Sequence, residues 1–103
     1  MTDEQRIERL ALSFPSIRSN VEMGYVPGIS PWDPTTFYEY LAAPAMEHGS
    51  GLKQALGFIW YVWSGRTVDA NEAFDFDLRM AFGRWDPPHE AAWKAWAAKA
   101  WWA

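Results

Sequence analysis

Two histidines offer the chain's plainest general acid–base chemistry, and each has a carboxylate beside it: Glu47 before His48, and Glu90 after His89. Neighbouring residues on a helix do not face each other, so neither couple forms a working pair by adjacency. The segment "HEAAW" lacks the second His that a zinc-binding helix needs at i+4. No Ser or Thr stands next to a His, and His89 reads as a surface group in the first turn of a helix. "GSGLK", Gly49 to Lys53, superficially suggests a phosphate cradle, but it lacks the G-x-x-x-x-G-K-[ST] spacing and has Gln54 where a third Gly is required. It reads as a loop and helix cap. "DANEAFDFDLRM" places Asp69 and Asn71 at positions 1 and 3 of a calcium loop. Ala73, Phe74 and Met80 then occupy positions that need an oxygen ligand, a Gly and a Glu. With no cysteine there is no thiolate metal site. The residues point to no catalytic group, no metal and no cofactor, and to a protein that is not an enzyme.

Length and composition bound the rest. A chain of 103 residues is expected to form one domain. Half of it is hydrophobic and 17% aromatic, a composition that folds. Large aromatics fill a small core efficiently. The net charge is −4 and the nine Lys and Arg form no basic run, which argues against a nucleic-acid groove. The start, "MTDEQRIERLALSF", has no apolar stretch of the signal-peptide kind. "FIWYVW" falls far short of the ~20 residues that span a bilayer. A soluble, cytoplasmic protein is expected, the missing cysteines fitting a reducing compartment.

The elements that must position any site read as helices. "TDEQ" is a capping box, with Thr2 as N-cap and Gln5 at N3. Ile7, Leu10, Ala11 and Phe14 follow at helical spacing, and Pro15 ends that helix. Residues 16–31 read as irregular, with a turn at Pro27-Gly28. "WDP" then occurs twice, at Trp32–Pro34 and Trp85–Pro87. Both copies read as helix starts, with Asp at N-cap and Pro at N1. In the first, Trp32 and Phe37 hold the two positions of a hydrophobic staple; in the second, N4 is Glu90 and Trp85 must find other contacts. The first of these helices should end near Ala43. Ser50 can cap the next, a central helix with Leu52, Ala55, Leu56, Ile59, Trp60 and Trp63 on one stripe, ending at Gly65. A helix starting at Asp69 or Asp75 carries Phe74, Leu78, Ala81, Phe82 and Trp85. The last helix runs to the C-terminus with Trp93 and Trp96 buried. The expected fold is an all-α bundle of four or five helices, residues 1–103 forming a single domain. Its core should include Leu10, Phe14, Phe37, Leu41, Leu56, Ile59, Trp60, Trp63, Leu78, Phe82, Trp93 and Trp96.

Five of the eight tryptophans fall in the last nineteen residues, and Trp101 and Trp102 close them. At ~100° per residue these two cannot both join the buried stripe. The expectation is a split: Trp101 plugs the bundle while Trp102 stays exposed as a partner contact. Lys53, Gln54 and Tyr61, on the polar side of the central helix, complete the candidate interface.

The C-terminal half also resembles a group of small bacterial and mobile-element proteins of unknown function. They share an aromatic "FLLxVW"-like helix, an Asp-Leu segment, "WD", a His, a Trp and a terminal "WW". The matching residues are Phe58, Trp60, Trp63, Asp77, Leu78, Trp85, Asp86, His89, Trp96, Trp101 and Trp102. The resemblance implies no activity. It suggests that the terminal Trp pair is not an accident of this chain, and since small proteins of mobile elements often bind and modulate host complexes, the expectation is a mobile-element accessory or anti-defence inhibitor that acts on a host protein complex. The expected function is thus non-catalytic binding of an unknown protein partner. The alternative is a domain that holds a small apolar or aromatic ligand among its many rings.

Overall fold

Thr2 starts the first helix as the capping box requires. Its Oγ1 accepts the Gln5 N–H at 3.1 Å, and Gln5 Oε1 accepts the Thr2 N–H at 3.0 Å. The computed structural model describes residues 1–42, 51–65 and 78–103, without the side chains of Leu78 and Met80. Among these it holds six helices and no strand: α1 Asp3–Leu12, α2 Pro15–Glu22, α3 Pro34–Ala42, α4 Gly51–Ser64, α5 Leu78–Arg84 and α6 Pro87–Ala97. The all-α architecture is as the periodicity predicts; α2 is the element that it does not show. Several expected features lie outside the described residues: His48, the end of α3 near Ala43, the Ser50 cap, the helix starts at Asp69 and Asp75, Asp77, and the side chain of Leu78.

Pro15 is a beginning as much as an end. It occupies the first turn of α2, and Phe14 before it is extended, with φ −86° and ψ 118°. Proline disfavours the helical region for the preceding residue. That break turns the Phe14 ring into the core, where it is fully buried. The expected irregular stretch is therefore helical over 15–22. With only eight residues, α2 is too short for its apolar pattern to stand out.

The loop after α2 is held by Gly28, at φ +85°. A Cβ there would sit 2.5 Å from the Phe37 backbone nitrogen. Glycine is needed both for the left-handed conformation and for the close approach to α3. The Gly28 carbonyl accepts the Asp33 N–H at 2.9 Å, fixing where α3 begins. The staple forms there, with Trp32 and Phe37 ring centroids 5.3 Å apart.

Helix α4 is central. It packs against α1, α2, α3 and α5, and stops at Gly65, φ +76°. Its rotation differs from the expected stripe. Ala55, Leu56, Phe58, Ile59 and Val62 are wholly buried, whereas Leu52, Trp60 and Trp63 are partly exposed against the core edge. Lys53 and Gln54, expected on an outer face, are only 5% and 4% exposed. A helix covered on several sides has no single outer face, so a sequence stripe cannot set its rotation. Of the remaining expected core, Phe14, Phe37, Leu41 and Trp96 are buried, and Leu10, Phe82 and Trp93 are half-buried.

Candidate functional site

The C-terminal segment departs from a continuous helix. Helix α6 ends at Ala97, with the Ala98 N–H on the Lys94 carbonyl and the Lys99 N–H on the Trp96 carbonyl. The chain then turns back and ties itself to α4: the Ala103 N–H donates to the Val62 carbonyl at 3.0 Å. Trp96 Nε1–H donates to the Trp101 carbonyl at 2.9 Å. The expectation that the last helix runs to the C-terminus is thereby corrected. One long-range contact, to α4, and one local contact, to the Trp96 indole, hold a return that helix geometry alone does not show.

This return decides the environment of the terminal pair. Trp101 packs against the core, with the Arg6 guanidinium 4.0 Å from its ring centroid. A cation over an indole face is attracted by the ring quadrupole, worth ~0.5–2 kcal/mol. Trp102 remains 47% exposed. Its ring meets Trp96 edge-on at 5.3 Å and Tyr61 edge-on at 5.9 Å. The fold thus brings Trp102 and Tyr61 together beside Trp96, while Trp101 packs under Arg6. Lys53 and Gln54 are buried and form no part of this surface.

A second group had no counterpart in the sequence reading. His89, expected at the surface, is only 8% exposed. Its Nδ1 lies 2.6 Å from Asp86 Oδ1, and its Nε2 lies 2.7 Å from Ser16 Oγ. The Ser16 backbone N–H also donates to Nε2, at 3.2 Å. Nε2 must therefore present a lone pair, which assigns the proton to Nδ1 and makes it the donor to Asp86. The N-cap of α2 is Phe14, which has no side-chain acceptor of its own. The imidazole from α6 supplies that acceptor across the bundle, satisfying one of the amides a helix start leaves unpaired. Asp86 serves twice, accepting the His89 backbone N–H at 3.2 Å as N-cap of α6. Its carboxyl is held below the ordinary range, first by the His89 side-chain hydrogen bond and then by that backbone N–H. Trp85 stacks on the imidazole at 6.5 Å, and Phe14 lies against it at 6.1 Å.

The ingredients of this group were visible one by one: an Asp and a His three apart at a helix start, and a Ser after Pro15. Their junction was not, because Ser16 and His89 are 73 residues apart. Among the described residues no set of three or more His, Cys, Asp or Glu could hold a metal ion, and no helix is long and apolar enough to cross a membrane. Compared with known proteins, the chain matches no family model, no curated protein and no solved structure.

Proposed function

We propose that the protein works by binding another protein through the surface centred on Trp102. The observation that carries this reading is an exposed indole that is nonetheless held in place. Trp102 rests edge-on against Trp96 and Tyr61, and the backbone after it is hydrogen-bonded to α4. A large ring ordered before binding loses little conformational freedom on contact. Trp and Tyr are the side chains most enriched at binding hot spots. The finer reading, a mobile-element accessory or anti-defence inhibitor of a host complex, draws its support from the resemblance of the C-terminal half.

The test compares the intact chain with Trp102→Ala as baits in cells of the native host. The substitution keeps the backbone tie to Val62, so the circular dichroism spectrum and melting temperature should hardly change. A discrete protein retained by the parent chain and lost with Trp102→Ala supports the reading. A partner retained equally by both overturns this surface. The small-ligand alternative has its own feature, an open groove lined by Pro34, Thr35, Tyr38, Glu39 and Trp60. A metabolite that co-purifies with the chain and is displaced by Trp60→Ala would favour it.

A further inference from the structure

We propose that Ser16 is a nucleophile, activated by His89 and positioned through Asp86, and that the chain hydrolyses small acyl esters at the junction of α2 and α6. The proposal goes beyond the protein-binding reading and does not depend on it.

Three observations carry it. The first is the relay itself: Ser16 Oγ to Nε2 at 2.7 Å, then Nδ1 to Asp86 Oδ1 at 2.6 Å. A nucleophile within hydrogen-bond reach of a base, with the base oriented by a third group, is the arrangement that activates a serine. The second is burial. The imidazole is screened by Phe14 and Trp85, while Ser16 retains access to solvent. The base is sheltered, and Ser16 is only part-buried. The third is competition for one lone pair. The Ser16 N–H and Oγ–H both donate to Nε2 in the resting state. Once Nε2 takes the hydroxyl proton it no longer accepts, and the Ser16 N–H is released. That amide lies on the residue that carries the adduct, in the first turn of α2, where the helix dipole favours negative charge.

The chemistry closes without a further reactant. Ser16 Oγ attacks the ester carbonyl carbon as its proton passes to Nε2. The tetrahedral adduct collapses, the bond to the leaving alkoxide breaks, and the alkoxide takes the proton from Nε2 and departs as the alcohol. Water then attacks the acyl carbonyl, giving its proton to Nε2. The Ser16–acyl bond breaks, a carboxylic acid leaves, and Ser16 Oγ recovers the proton. Asp86 touches no reacting atom; it is a positioning residue that keeps the Nδ1–H tautomer, so that Nε2 is the free base.

The experiment uses the full chain, a fluorophosphonate probe read by intact mass and peptide mapping, and p-nitrophenyl acetate turnover. The expected result is one adduct, on Ser16, with ester turnover lost in Ser16→Ala. That variant keeps the backbone N–H bond to His89 and so keeps the cap. His89→Gln retains an acceptor for that N–H but has no basic nitrogen; it should fold and fail to label. Asp86→Asn keeps an oxygen for both bonds but loses the negative charge that supports the imidazolium as Nε2 takes the proton. Its labelling rate should fall by about 100-fold or more, with an altered pH profile and an unchanged circular dichroism spectrum. Ser13→Ala should label as the parent does. If folded parent protein labels Ser16 no faster than Ser13 or Ser19, or if His89→Gln labels at the parental rate, the proposal is overturned and the relay is a helix cap alone.

Discussion

The two WDP segments share three letters and begin two helices, yet they do different work. At the first, Asp33 stays local. Its Oδ1 accepts the Thr36 N–H at 3.2 Å and its Oδ2 accepts the Thr36 hydroxyl at 2.9 Å. Trp32 packs on Phe37 and on Trp63, at 5.3 and 5.2 Å, but its indole N–H is buried with no partner among the described residues. At the second, Asp86 makes the same backbone bond to the residue three along, and that residue is His89. The imidazole is long enough to carry the hydrogen bonding out of its own helix and onto Ser16 of α2. Trp85 likewise reaches outward, its indole N–H donating to the Gly51 carbonyl at 3.0 Å. The Asp and the Pro make the helix start in both places. The third residue of the helix decides whether the start is only a start or also a joint between distant elements.

The largest effect that sharpens this contrast is truncation of the tryptophans. Trp85→Ala should cost ~3–5 kcal/mol in urea-unfolding free energy, through a core cavity and the lost partner of Gly51. Trp32→Ala should cost less, since no hydrogen bond is lost with it. Equal costs would mean that the Gly51 contact adds nothing. The next comparison is at the third helical residue. His89→Ala should destabilise by ~1–3 kcal/mol, because it strips the Ser16 N–H of its acceptor in a part-buried site. Thr36→Ala should change stability by less than ~0.5 kcal/mol, as a surface substitution does. A larger loss at Thr36 would remove the distinction between a local start and a joint.

Phenylalanine substitutions isolate the indole N–H. Trp85→Phe should lose ~1 kcal/mol for the hydrogen bond beyond its loss of volume. Trp32→Phe removes a donor that has no partner, so its lost volume is partly offset and it should be the milder of the two by thermal melt. The smallest effect is in acid. Asp33 and Asp86 both titrate below the ordinary 3.8 when folded, Asp33 through its bonds to Thr36 and Asp86 through its bonds to His89. A carboxyl depressed in the folded state contributes stability that is present above its unfolded value and lost as the pH falls through the folded one. Unfolding free energy of the parent should therefore drop as pH goes below 3.8. Asp33→Asn and Asp86→Asn should each flatten that drop, and an unchanged slope in either would show that its hydrogen bonds are equally good when the group is protonated.

Much of the frame was legible because it rests on short-range chemistry. The Thr2–Gln5 box, both Asp caps, the Trp32–Phe37 staple and the Gly65 stop each involve residues within five positions of one another, and each formed as the spacing predicts. The centrality of α4 was legible too, from its breadth of apolar residues. Its rotation was not, since breadth is what hides the direction; Phe58 and Val62 proved deeper than Trp60 and Trp63. Helix α2 escaped notice because it begins with a residue better known for ending helices and is too short to display a period. Of the candidate surface, the terminal pair could be singled out by its place off the α6 stripe, but Lys53 and Gln54 could not be told from outer residues.

The amino-acid sequence by itself determined the helices, their starts and the residues available to fill a core, since hydrogen bonds from i to i+3 or i+4 and apolar periodicity depend on neighbours along the chain. The tertiary structure alone decided that His89 meets Ser16 and that Ala103 meets Val62. Those contacts join residues 73 and 41 positions apart, and no local preference encodes them. They exist because α2 packs on α6 and the C-terminal return packs on α4, and a buried acceptor left beside an unpaired donor takes it.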